Sequence, residues 1–151
     1  MSVEHTPRIL IAEDTPQTAE LLELYLAEGD YEVRIATDGE QAIHQLQSWQ
    51  PDVVLLDVMM PRLSGFEVCK RLRANPSTRN IGVIMVTALD QQADIDRAVE
   101  AGTDDLLSKP INKPELFRRV RALLNSRRHP RDLDRALSYI EGVQKGEPGR
   151  P

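Results

Sequence analysis

Val53-Val54-Leu55-Leu56-Asp57 is an uninterrupted apolar run that ends on a carboxylate, and its reading decides the fold. A short Val/Leu run without polar alternation fits a strand covered on both faces, as in a parallel sheet. Ile9-Leu10-Ile11-Ala12 and Val83-Ile84-Met85-Val86 read the same way. Tyr31-Glu32-Val33-Arg34-Ile35 alternates instead, and Leu106-Leu107 is very short, so these two fit the edges of the sheet.

Helical patterns fill the gaps between the runs. Leu22, Tyr25 and Leu26 share one face; so do Ile43, Leu46 and Trp49, and Phe66, Cys69 and Leu72. Ile95, Ala98 and Val99 make a fourth set, and Leu116, Val120, Leu123 and Leu124 a fifth. Each follows the three-and-four spacing of an amphipathic helix. Asp38-Gly39, Pro61 to Gly65, Asn75-Pro76-Ser77 and Gly102 punctuate the pattern. The outcome is an α/β fold of five βα units joined by right-handed crossovers.

Three two-faced strands and two edge strands restrict the strand order. The doubly wound, flavodoxin-like order 2-1-3-4-5 places strands 1, 3 and 4 inside a five-stranded parallel sheet. Ligands then bind beyond the carboxyl ends of strands 1 and 3, where the winding reverses. The residues at those ends are chemically loaded. Glu13 and Asp14 follow the first strand, Asp57 follows the third, Thr87 ends the fourth and Lys109 the fifth.

Three carboxylates in one cleft raise each other's pKa unless a cation neutralises them. A hard divalent ion such as Mg2+, which keeps several waters and takes few protein carboxylates plus phosphate oxygens, suits such a set. A carboxylate can itself accept a phosphoryl group, and the rest of that chemistry is positioning and charge neutralisation. Glu13 and Asp14 are the expected metal ligands, with Asp57 both ligand and nucleophile. Lys109 offers a point charge and Thr87 a hydroxyl donor. Taken singly, Asp14 ahead of Pro16 could merely cap a helix, Thr87 could be a satisfied strand-end hydroxyl, and Lys109 a solvated charge.

Composition narrows the setting. The chain has 151 residues, 40% hydrophobic and 28% charged, which suits one globular domain. A net charge of −5 argues against nucleic acid as the main partner of the folded part. No apolar stretch approaches the ~20 residues needed to cross a bilayer, and Met1 to Arg8 lacks the apolar core of a signal peptide. Cys69 is the sole cysteine, so no intrachain disulfide can form. Together these give the expectation of a cytoplasmic protein without a membrane partner.

In order along the chain, Glu13-Asp14, Asp57 with Met60-Pro61 and Gly65, Thr87-Ala88, Ala101-Gly102-Thr103-Asp104-Asp105 and Lys109-Pro110 resemble the motif set of response-regulator receiver domains, the CheY-like family. The resemblance spans about residues 7–126, and it implies the same strand order. It also implies that Asp57 accepts a phosphoryl group from a sensor histidine kinase or a phosphotransfer protein. Glu13, Asp14, Asp57 and the backbone carbonyl of Met59 would bind Mg2+, while Thr87 and Lys109 would contact the phosphoryl group. The bond before Pro110 would be cis. Such a protein is a phosphoacceptor switch in a two-component phosphorelay, not an enzyme acting on external substrates. Its rivals are a phosphorylation-independent pseudo-receiver, which the intact acidic set opposes, and a haloacid-dehalogenase-like phosphatase. The latter wants Asp-x-Asp on the first strand, but here Asp57 lies on the third and Met59 follows it.

One position departs from the family. Tyr or Phe is usual where this chain has Leu106, so the usual inward swing of a ring is lost. Met59 and Leu89 occupy positions that tune dephosphorylation in the family; being apolar, they orient no hydrolytic water, and a long-lived phosphoryl state is expected. The face formed by the fourth helix, fifth strand and fifth helix carries Glu100, Asp104 and Asp105 near Arg118, Arg119 and Arg121. That charge pattern suits a partner or a homodimer.

Outside this domain, residues 1–6 are expected to be disordered. Residues 127–131 form a basic hinge, 132–144 an extra C-terminal amphipathic helix with Leu133, Ala136, Leu137 and Ile140 on one face, and 145–151 a Gly/Pro-rich disordered tail. An apolar stripe this short is marginal alone. It is expected to fold back on its own domain or to pair with a second copy.

Overall fold

Successive side chains of a strand point to opposite faces, so an unbroken apolar run requires helices on both sides of the sheet. The computed structural model describes residues 5–88 and 92–126 together with Ile140 and Val143, and it has that three-layer arrangement. The elements are β1 (Arg8–Ala12), α1 (Pro16–Leu26), β2 (Glu32–Ala36), α2 (Gly39–Ser48), β3 (Val53–Asp57), α3 (Gly65–Ala74), β4 (Gly82–Thr87), α4 (Gln92–Ala101), β5 (Asp105–Ser108) and α5 (Lys113–Ser126). The five strands are parallel in the order β2-β1-β3-β4-β5.

The alternation sorts the core into two halves. Leu10, Ala12, Val54, Leu56, Val83 and Met85 pack under α2, α3 and α4. Ile9, Ile11, Val53, Leu55, Ile84 and Val86 pack under α1 and α5. Pairing of β1 with both β2 and β3 puts Ala12 beside Leu56, so Glu13 emerges next to Asp57. Burying side chains of this size contributes roughly 1.5–3 kcal/mol each, and that burial fixes the register which aligns the strand ends.

Helix starts are locally encoded. Asp38 caps α2 by accepting from the Gln41 N–H, and Ser64 caps α3 by accepting from the Glu67 N–H. The Asn112 side chain accepts from the Glu115 N–H at the start of α5. The capping role considered for Asp14 is not realised. Thr15 is the N-cap of α1 and makes no side-chain cap bond, with Pro16 opening the helix.

Other details differ from the sequence reading. The strand expected from Tyr31 to Ile35 runs from Glu32 to Ala36, while Tyr31 leaves the sheet to stack on Phe117 at 6.3 Å. Val99, placed on the inner face of the fourth helix, is 63% exposed, and Ala98 and Ala101 carry the packing instead. A helix with two alanines inward sits close to its neighbours and turns the next position outward. The charges expected to await a partner are largely engaged within the chain. Arg119 binds Asp105 and Glu115, Arg118 binds Glu115, and Asp104 binds Arg73.

Arg73, near the carboxyl end of α3, ties several segments together. It donates to the carbonyls of Gly102, Arg79 and Ile81 and to Asp104 Oδ2, which also accepts from the Val83 N–H. The basic hinge 127–131, the helix 132–144 and the tail 145–151 lie outside the described residues except for Ile140 and Val143. Residues 1–4 of the amino-terminal segment and Leu89 also lie outside them.

Candidate functional site

All five side chains singled out in the sequence converge at the carboxyl end of the sheet. One carboxylate oxygen from each of Glu13, Asp14 and Asp57 can be chosen so that the three lie within 4.8 Å of one another. Glu13 and Asp57 are buried, and Asp14 lies nearer the surface. Lys109 Nζ sits 3.3 Å from Glu13 Oε1 and 3.3 Å from Asp57 Oδ1, donating a hydrogen bond to the latter. Thr87 is buried at the end of β4, and its carbonyl accepts from the Lys109 N–H. The Lys109-Pro110 bond is cis, as the resemblance implied.

Glu13 is held by the start of α1. Its Oε2 accepts from the Thr15 N–H at 3.2 Å. Its Oε1 makes no hydrogen bond despite the nearby ammonium, although the side chain is only 1% exposed. A buried carboxylate oxygen without a donor is costly, and the cation that would relieve it must approach from the cleft. The set is all oxygen and partly open to solvent, which fits Mg2+ better than a soft metal.

The electrostatics agree. Burial, and next the Glu13 charge, raise the Asp57 carboxyl to a pKa of about 7; Lys109 offsets only part of this. A group so perturbed, between a like charge and an ammonium, marks a functional centre. Carboxylates crowded in this way suit a further cation in the cleft.

The loop after β3 brings backbone close to this centre. Leu63 N–H donates to the Pro61 carbonyl at 2.7 Å, and Arg62 adopts φ 70°. Residues with a Cβ lose roughly 1–2 kcal/mol in that left-handed region. The Arg62 guanidinium is 3.9 Å from both Asp38 and Glu40 and is 67% exposed, so these pairs stabilise little. Arg62→Gly is therefore expected to stabilise the protein by about 0.5–1 kcal/mol, net of the greater freedom of glycine in the unfolded chain. A urea midpoint below that of the parent would show that the ion pairs outweigh the strain.

The sequence reading missed two parts of the site. The Thr15 N–H that orients Glu13 is a backbone group, and no side-chain type announces it. A cavity of about 60 Å³ bordered by Val58, Thr87, Ile95, Ala98 and Leu106 arises from packing alone. A larger cleft of about 290 Å³ lies at the opposite end of the sheet between α2 and α3, away from the carboxylates.

Comparisons with known proteins agree with this geometry. The family model described as "Response regulator receiver domain" matches residues 9–121. The response regulator PleD of Caulobacter vibrioides is 45% identical over 116 residues, which are 77% of this chain and 26% of that protein. RpaA of Synechocystis, a DNA-binding dual master transcriptional regulator, is 40% identical over 140 residues, 93% of this chain and 57% of that protein. The chain therefore spans only part of these relatives. The charge-based expectation against nucleic acid gains no support from them. Among solved structures, the receiver domain of a sensor histidine kinase from Pseudomonas aeruginosa PAO1 has a TM-score of 0.75 and 30% identity, covering 80% of this chain and 99% of that one. That domain holds a magnesium ion coordinated in its active-site cleft. Among the described residues, no helix is long and apolar enough to cross a membrane.

Proposed function

This chain belongs to the response regulator receiver domain family, and from that premise we propose that it accepts a phosphoryl group on Asp57 and switches its associations accordingly. The donor is the phosphohistidine of a sensor histidine kinase or phosphotransfer protein, encountered in the cytoplasm. An Asp57 carboxylate oxygen bonds to phosphorus as the P–N bond breaks, and the histidine nitrogen leaves with its electron pair. Glu13, Asp14, Asp57 and the Met59 carbonyl would hold Mg2+, which would supply positive charge against the crowded carboxylates and the phosphoryl oxygens. Lys109 supplies a second positive charge to those oxygens, and the Thr87 hydroxyl donates to one of them. Hydrolysis of the acyl phosphate is slow, because exposed Met59 has no group to orient water.

One observation carries this reading: a buried carboxylate pair shares a single ammonium, and one oxygen of Glu13 still lacks a donor. That arrangement is explained by a divalent ion and a nucleophilic Asp57, and poorly by a structural ion pair. The switched association is with a partner protein or a second copy through α4, β5 and α5, where Val99 is exposed.

The test is direct. Incubated with acetyl phosphate and Mg2+, the protein should gain the mass of one phosphoryl group, mapped to Asp57 and lost in acid or hydroxylamine. Omitting Mg2+ should abolish the gain. Labelling that is indifferent to EDTA, or that maps elsewhere, would overturn the assignment.

A further inference from the structure

Of the chain's four methionines, three lie among the described residues, and their surroundings differ sharply. Met85 is fully buried in β4, and Met60 is 9% exposed and packs in the core under α2, α3 and α4. Met59, beside Met60 in the chain, is 69% exposed. Oxidation of a thioether follows its access to solvent. Of these three sulfurs, that of Met59 is the one an oxidant reaches without any opening of the fold.

The backbone around Met59 is nonetheless fixed. Val58 is buried, its carbonyl accepts from the Gly65 N–H at 2.9 Å, and buried Met60 anchors the other side. Two residues of chain span at most about 7 Å, so Met59 is held within that distance of Asp57. Its side chain is unbranched and turns about three bonds. A thioether is only a weak hydrogen-bond acceptor, so the residue as it stands holds no water against the carboxylates.

We propose that Met59 is a redox modification site at which a peroxide resets the switch: its sulfoxide shortens the life of the phosphoryl group on Asp57. The inference rests on the phosphoacceptor reading and adds a chemical input to the same site. The Met59 sulfur gives a lone pair to one oxygen of hydrogen peroxide, and an S–O bond forms as the O–O bond breaks. The proton of the transferred hydroxyl passes to the departing hydroxide, which leaves as water. Sulfur is oxidised by two electrons and the peroxide reduced by two. The product carries an oxygen that accepts from water two residues from the acyl phosphate, and it presents that water to phosphorus. Because the side chain lies outside the core, the new polar oxygen meets solvent and the fold bears no cost of burying it. Reduction of the sulfoxide restores the thioether, so the input is reversible.

The test treats the intact chain with hydrogen peroxide, removes it, and then labels with acetyl phosphate and Mg2+. Peptide mass mapping should find Met59 oxidised about ten-fold or more faster than Met60 and Met85, in line with access. After the donor is removed, the phosphoryl mass on Asp57 should decay about ten-fold faster in oxidised than in untreated protein, less than a full general base gives. Met59→Leu should decay at one rate with or without peroxide, which also separates any effect of oxidation at Met1. Met59→Gln, with a permanent side-chain oxygen, should decay faster than Met59→Leu without peroxide. Even oxidation of the three methionines, or a decay that peroxide leaves unchanged or slows, overturns the modification site alone. So does labelling lost only after oxidation, a parental response in Met59→Leu, or a decay in Met59→Gln no faster than in Met59→Leu. Absence of label on Asp57 in the untreated parent overturns the phosphoacceptor reading and this inference with it.

Discussion

Asp57→Asn is expected to abolish phosphoryl labelling and, in the absence of divalent metal at pH 8, to raise the melting temperature by ~5 °C or more. The physical cause is the crowding of buried carboxylates. Asp57 titrates near a pKa of about 7 when folded because burial and Glu13 disfavour its charge, against about 3.9 in the unfolded chain. Between those values the folded state holds a proton that the unfolded state has released. Stability from this group is therefore full at low pH and falls as pH rises through the window, levelling off above it. Asparagine carries no charge and removes the penalty, which is of the order of a few kcal/mol. Mg2+ held by these carboxylates would bind only the folded parent and stabilise it by mass action, so saturating metal should erase most of the difference. Thermal melts at pH 5 and pH 8, each with EDTA or Mg2+, measure all of this. A variant less stable than the parent in EDTA at pH 8 would mean that the Lys109 attraction outweighs the burial.

A comparably large effect is expected at Gly65, for steric reasons. A Cβ built there would lie 2.3 Å from the Asp57 carbonyl oxygen and 2.9 Å from Val58 Cα. Both contacts are backbone, and the Gly65 N–H donates to the Val58 carbonyl at 2.9 Å, so neither side can yield cheaply. Gly65→Ala should cost about 3 kcal/mol, the upper end for overpacking, even though alanine suits a helix better. It should also slow labelling of the molecules that still fold, by on the order of 100-fold, because displacing the nucleophile by about 1 Å spoils its alignment. Urea unfolding and the rate of mass gain report the two effects separately. Parental values for both would show that the start of α3 does not brace Asp57.

Much of this protein was written in the chain. Strand identities follow from side-chain type: Val53 to Leu56 has no polar residue to offer solvent, while Glu32 and Arg34 do, and that contrast separates inner strands from edges. Once the order is known, the carboxyl ends of β1, β3, β4 and β5 must share one edge, so Glu13, Asp14, Asp57, Thr87 and Lys109 converge. The caps at Asp38 and Ser64 are equally local, since each side chain meets an N–H three residues on.

Other features belong to the fold alone. Val99 fits the helical spacing as well as Ala98 does, and only contact with α3 and the sheet decided that two alanines face inward. The grip of Thr15 on Glu13 is a backbone hydrogen bond, invisible in residue types. Arg73 gathers carbonyls from the turn after its own helix and from Gly102 further along the chain, and a lone arginine on a helix predicts none of them. The pairing of Arg119 with Asp105 turned charges that suited a partner into an internal tie. Periodicity and strand-end chemistry are short-range properties that a sequence carries explicitly. Packing volume, as in the cavity beside Thr87, and the choice among competing ionic partners depend on distances between elements, which exist only once the chain has folded.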